Sequence, residues 1–318
     1  MAFETLGAGG LAPELKQTYS RALLGRTKPN WIHALFGDQT GIVRRGGNSI
    51  EWRRFVRPSA ATTALTEGTS GAETNLTVTA IGATISQYGA WNLYTELVEL
   101  QSFDPYTANV VELFGEQAKD TIDILARNVL TAGTTLQIAS TAGSRGGIAS
   151  GMRLNFAEIR AAVRALEVNN APKFDDGAYK GIYHPRTKQD LFADSDVIQT
   201  FQHAGPRGTN NPLMSADMGR FYSVDWLETS NARNFGGAGL TSTPVYATII
   251  FGKGAYGQVD LDAISMNAEF ILHGPGSAGS LDPLNQRATA GWKVAYACRI
   301  LDENRLVRIE HSVSSDSG

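Results

Sequence analysis

Residues 104–133, DPYTANVVELFGEQAKDTIDILARNVLTAG, carry the strongest local signal in the chain. Asp104 is a good helix N-cap, and Pro105 suits the first helical position, where a backbone N–H would be unsatisfied anyway. Val111, Phe114, Ala118, Ile122, Leu125 and Val129 then recur at steps of three or four, the period of one helix face, and Gly133 supplies a stop. The pattern predicts a helix of roughly 27 residues, about 40 Å at 1.5 Å per residue. A helix of that length is a spine rather than a connector.

Upstream of it, Ser49–Phe55 and Leu76–Ile85 read as strands. In the second, Leu76, Val78 and Ala80 alternate on one parity and Ile81, Ala83 and Ile85 on the other, which predicts a bulge near Ala80–Gly82. About 20 residues rich in Ala, Thr, Ser and Gly separate the strands, with Glu67 and Glu73 among them. Two strands with a long polar tip make a projecting β-arm, too thin to hold a core and in need of a neighbouring surface. Earlier still, Leu15, Tyr19 and Leu23 mark an amphipathic helix within 11–26, before Gly25, Pro29 and Gly37 impose an extended arm.

Downstream, a helix opens after Asn155 on Ile159, Val163 and Leu166 and ends near Pro172. Tyr179–Tyr183 reads as a strand, Thr187–Phe192 as a short helix and Val245–Phe251 as a buried strand. Residues 203–220 and 230–244 are loop-rich. Trp292–Ile300 and Arg305–Ile309 flank Leu301-Asp302-Glu303-Asn304 and predict a closing hairpin. No internal repeat and no linker between independent domains is present.

The bulk numbers exclude several classes. The 318 residues are 42% apolar and 19% charged, and a low charge content suits a surface that is buried against copies of itself. The 34 glycines cluster in irregular connections. A net charge of −3 and a pI near 6.0 argue against a protein built mainly to grip phosphate backbones. Residues 1–58 nevertheless hold nine Lys/Arg against four Asp/Glu, a net +5 beside −8 for the remainder, a polarity suited to head-to-tail contact between copies. The single cysteine, Cys298, sits in an apolar run as a small core residue and rules out an intrachain disulfide. No apolar stretch approaches the roughly 18 residues of a membrane span, and no secretory signal opens the chain, so synthesis in a reducing cytoplasm is expected.

Catalytic chemistry finds no support. His33, His184, His203, His273 and His311 show no metal-site spacing and read as surface or loop residues, with His184-Pro185 a strand-to-helix turn. Gly252-Lys253-Gly254 lacks the remainder of a phosphate loop, and Gly-x-Ser-x-Gly does not occur. Asp175-Asp176 and Asp194/Asp196 read as solvated turns without complementary residues. No enzymatic activity, metal or cofactor is expected.

The order of elements and four local strings together resemble a family. They are Leu65-Thr66-Glu67-Gly68 with Ile85-Ser86-Gln87-Tyr88-Gly89; Tyr179-Lys180-Gly181-Ile182-Tyr183-His184-Pro185 with Asp190-Leu191-Phe192; Val224-Asp225-Trp226-Leu227-Glu228-Thr229-Ser230-Asn231-Ala232; and Gly291-Trp292-Lys293. The set, over about residues 20–310, resembles tailed-bacteriophage major capsid proteins of the coliphage N-four type, within the Hong Kong 97-type fold. The resemblance implies an α+β fold with an N-terminal arm (1–45), an extended β-loop (46–90), a peripheral domain (91–152 and 286–318) around the spine helix and an axial domain (153–285). It implies self-assembly into pentamers and hexamers of an icosahedral head around double-stranded DNA, and location in the virion after assembly in the host cytoplasm. Trp52, Arg53, Arg54, Glu67 and Glu73 on the β-loop are the inter-subunit contact candidates. Scaffold, portal and decoration proteins are partners in such heads, with non-specific contact to packaged DNA and no membrane. Some members crosslink through Lys and Asn; Lys180 and Lys253 are present, and nothing marks either as reactive. The alternative of the same fold is an encapsulin-like nanocompartment shell around protein cargo.

Overall fold

A computed structural model describes residues 28–41, 47–68, 70–71, 73–102, 105–204, 218–260, 269–277 and 282–314. The elements run in chain order as β1 (Asp38–Gly41), β2 (Ser49–Phe55), β3 (Val78–Thr84), β4 (Ser86–Thr95), α1 (Glu96–Gln101), α2 (Tyr106–Leu130), β5 (Leu136–Ile138) and α3 (Phe156–Val168). They continue as β6 (Tyr179–Tyr183), α4 (Pro185–Ala193), α5 (Ser195–Ala204), β7 (Arg220–Phe221), β8 (Val224–Glu228), β9 (Tyr246–Phe251), β10 (Tyr256–Asp260), β11 (Glu269–His273), β12 (Arg287–Ile300) and β13 (Leu306–His311). The helix expected in 11–26, the Asp104 cap and the middle of loop 203–220 fall outside the described residues.

The spine helix is α2, of 25 residues, with Pro105 at the N-cap instead of inside the first turn. Its buried stripe is Val110, Ala118, Ile122, Asp123, Ala126 and Leu130, turned slightly from the expected one, so that Val111 is partly exposed. The cause is a second covering layer. Ala118 and Ile122 pack on Trp292, Val294 and Tyr296 of a sheet, while His33 from the segment before β1 covers Asp123.

That sheet is built on β12, fourteen residues long. One edge of β12 pairs with β11 and then β10, the other with β4 from Arg287↔Thr95 to Tyr296↔Ser86, and β1 adds parallel to β10. At Gly89 of β4 a Cβ would stand 2.5 Å from the Trp292 carbonyl oxygen, so the close approach of the two strands requires glycine. The second sheet has the order β5-β13-β9-β6-β8-β7. Its β9 and β13 are buried along their whole length. Ile159, Ala162, Val163 and Leu166 of α3 close over Ile250, Val307 and Ile309, with Leu191 of α4 in the same cluster. Asn155 caps α3 by accepting from the Glu158 N–H at 2.9 Å.

Three expectations are corrected. The last two long strands do not form a hairpin: β12 belongs to the first sheet and β13 to the second. The turn at 301–304 carries the chain from one sheet to the other, and the Leu301 and Asp302 N–H groups donate to the Ala255 carbonyl. The bulge at Ala80–Gly82 is absent, because β3 pairs with β2 without interruption from Ser49↔Thr84 to Phe55↔Val78. Leu76 and Val78 are apolar but exposed, so the parity change is one of composition, not of register. Finally, β4, α5, β7 and β8 arise where no element was expected. In β4 both faces carry large apolar residues, Tyr88 and Tyr94 inward and Trp91 and Leu93 outward, which erases the period-two signal.

Candidate interaction surface

Strands β2 and β3 form a two-stranded ribbon that leaves the body, and the Val56 N–H to Thr77 carbonyl bond extends it by one pair. Beyond that pair every described residue of 57–76 is exposed, with Leu65 78% and Leu76 67% accessible. The root, in contrast, is tied down. Ile50, Trp52, Ala83 and Ile85 pack on the buried Val259 and Ala297. The Trp52 Nε1–H donates to Thr40 Oγ1 at 3.2 Å. Its ring occupies the space that a side chain at Gly257 would take, within 2.9 Å of a Cβ there. Arg54 pairs with Asp302, which also holds Arg305 at 3.2 Å. A cleft of about 680 Å³ opens beneath the root, lined by Arg54, Ile81, Leu125, Val129 and Arg299 among others.

The five contact candidates therefore fall into two groups. Trp52 and Arg54 are engaged with their own chain and set where the arm leaves it. Arg53, whose nearest carboxylate is Glu51 at 3.8 Å, and Glu67 and Glu73 near the tip are exposed. A second exposed apolar group went unread in the sequence: Trp91 at 70% and Leu93 on β4, with Leu97 and Leu100 on α1, a helix with no buried residue. A heptad-like count cannot find it, because exposure of an apolar residue is a tertiary property.

The polar interior has structural roles. The His33 N–H and Nδ1 meet the two Asp123 carboxylate oxygens at 2.7 and 3.0 Å, and Asn231 donates to the same group. Burial alone would raise the Asp123 pKa, but the hydrogen bonds from His33 and Asn231 hold it below the usual carboxylate value. His311 is wholly buried between Thr248 Oγ1 at 2.9 Å and the Ser312 carbonyl at 3.0 Å, and burial pushes its pKa down to about 4. Two of the five histidines are thus core residues, not loop residues. Glu310, also buried, takes both nitrogens of the Arg145 fork at 2.6 and 2.8 Å and Arg308 at 3.0 Å. Burial pushes the Cys298 thiol up to about 12. Asp175 and Asp176 do have complementary residues, Lys253 at 2.7 Å and Lys180 at 2.5 Å. His184 caps α4 as a strand-to-helix turn, accepting from the Arg186 N–H at 3.2 Å. Among the described residues no group of three or more His, Cys, Asp or Glu is placed to hold a metal, and no helix is long and apolar enough to cross a membrane.

The element order, an arm with a fixed root and the long spine helix define a fold class that solved structures share over the whole chain. A capsid chain of cyanophage Pam1 matches with a TM-score of 0.74 at 15% identity, covering 99% of this chain and 100% of that one. The capsid of Ralstonia phage GP4 matches with a TM-score of 0.74 at 14% identity, covering 100% of each chain. The acid-stable capsid of Helicobacter pylori bacteriophage KHP30 matches with a TM-score of 0.72 at 11% identity, covering 98% of this chain and 99% of that one. No protein-family model matches the sequence, and no curated protein matches it. The fold is the α+β fold of phage capsid chains.

Proposed function

We propose that the chain is the major capsid protein of a tailed bacteriophage, with the Hong Kong 97-type architecture and the coliphage N-four-type relatives that its strings resemble. The observation that carries the reading is the arm: a ribbon anchored at its root, whose remaining described residues 57–76 are all exposed. An arm of this kind gains cohesion only by lying on another molecule. Exposed Trp91, Leu93, Leu97 and Leu100 add apolar area for contact with copies.

In this reading residues 1–45 are the N-terminal arm, 46–90 the extended loop, 91–152 with 286–318 the peripheral domain and 153–285 the axial domain. The strands β10 and β11 cross into the peripheral sheet, and β13 crosses into the axial one. One heterologous contact repeated around an axis closes rings of five or six, and the arm absorbs the difference in angle. The assembled head is the virion shell, formed in the host cytoplasm around double-stranded DNA held by non-specific contact, with separate scaffold, portal and decoration proteins as partners. No step in this role requires a cofactor or catalysis.

Electron microscopy of the purified full-length chain, with a nuclease-protection assay for enclosed DNA, tests the reading. Icosahedral shells built of five- and six-membered rings are the expected result. Protein cargo without protected DNA would assign a nanocompartment instead, and monomers under every assembly condition would sink the shell role.

A further inference from the structure

Near the end of α2 two arginines converge on one neutral atom. Arg127 Nε and a terminal nitrogen approach Asn128 Oδ1 at 3.4 and 3.1 Å, and an Arg233 terminal nitrogen approaches the same oxygen at 3.4 Å. Among the described residues neither guanidinium has a carboxylate within ion-pair distance. The nearest acids are already taken: Asp123 by His33 and Asn231, and Asp120 by Asn231 at 2.6 Å. Arg233 Nε is buried without a hydrogen-bond partner, and burial together with the neighbouring Arg233 lowers the Arg127 pKa. Arg127 also donates to the Asn231 carbonyl at 3.0 Å, and Arg233 lies over the Phe235 ring at 5.2 Å, so both guanidinium groups are held by neutral partners alone, and an incoming anion would supply the counter-charge that neither has.

The arm supplies the complementary charge. From residue 58 to residue 118 the chain has no Lys or Arg, and Glu67 and Glu73 are the only charges on the arm beyond Arg57. Both are exposed in their own subunit. A ribbon with roughly ten residues per side reaches about 33 Å from its root. A nucleic acid is the poorer fit. Both arginines are half-buried, which admits the side chain of a narrow loop but not a duplex.

We propose that the Arg127–Arg233 pair is the receptor for the acidic arm tip of a second copy, through Glu67 or Glu73. The contact rests on the shell reading above. It is tested by charge reversal in the full-length chain, with shells counted by light scattering and electron microscopy. Glu67→Arg with Glu73→Arg, and separately Arg127→Glu with Arg233→Glu, raise the concentration needed for assembly roughly tenfold, because a small pair energy is repeated around every ring. All four substitutions in one chain restore assembly. Thermal unfolding of each unassembled variant checks that the subunit still folds, and Arg233→Gln with wild-type Arg127 serves as the milder receptor variant. Reversals without effect on assembly, or losses that the fourfold variant does not rescue, overturn the contact while wild-type shells keep the shell reading. Loss of duplex-DNA binding in the receptor variants with assembly unchanged would overturn it in favour of phosphate. Absence of wild-type shells would remove the reading on which it stands.

Discussion

His311 is the residue where burial has the clearest thermodynamic consequence. In the folded chain Thr248 and the Ser312 carbonyl satisfy the neutral ring, and burial pushes the pKa down to about 4 from the ordinary histidine value of 6.5. The unfolded chain therefore binds the extra proton first as pH falls. Stability from this group is fully present above pH 6.5 and is lost as pH drops toward 4. At 1.36 kcal/mol per pH unit the loss amounts to about 3 kcal/mol. Urea denaturation of the unassembled subunit should show a midpoint that falls between pH 7 and pH 4.5, and His311→Gln should flatten that slope. An unchanged slope in the variant would mean that another group, such as Asp123, controls the acid limb. At this scale the sequence was least legible. It marked His33 and His311 as surface or loop residues, since nothing local to them signals that Asp123 and Thr248, distant in sequence, meet their rings.

Elements were more legible where the cause of burial repeats along the segment itself. The spine helix, α3 with its Asn155 cap and the fully buried β9 all follow from periodicity and capping, because the physical cause is local or repeats along the segment. The arm followed from an absence: a polar stretch of about 20 residues between two strands has nothing with which to build a core. That absence makes a sharp expectation. Replacing residues 57–76 by an Asn-Gly turn should leave the thermal midpoint of the unassembled subunit within about 2 °C, because those described residues bury nothing. The same change should abolish shell formation by electron microscopy. A large fall in the midpoint would show that the arm supports its own subunit. Of the contact candidates, Glu67 and Glu73 lie in the polar stretch between the two strands and Arg53 in the first strand, so composition and strand pattern together put them on the arm. That Trp52 and Arg54 serve the root instead depends on Thr40 and on Gly257 and Asp302, the last two far away in sequence.

In the whole molecule the two sheets are interleaved along the chain. The turn at 301–304 ends β12 in one sheet and starts β13 in the other, where β13 lies between β5 and β9. Truncation after Asn304 should therefore strip an interior, wholly buried strand from the second sheet and eliminate its cooperative unfolding transition, read by circular dichroism. Had the two strands formed a hairpin, the same truncation would spare that sheet. The sequence by itself determined the existence of the spine, the arm and the buried strand β9, since periodicity, capping and turn spacing are properties of neighbours along the chain. Only the tertiary structure decided which strand pairs with which, which histidines are buried, and that Arg127 and Arg233 meet with no acid between them. Such pairings form through contacts between residues well separated along the chain, whose energy depends on what else has already packed, and no local pattern records it.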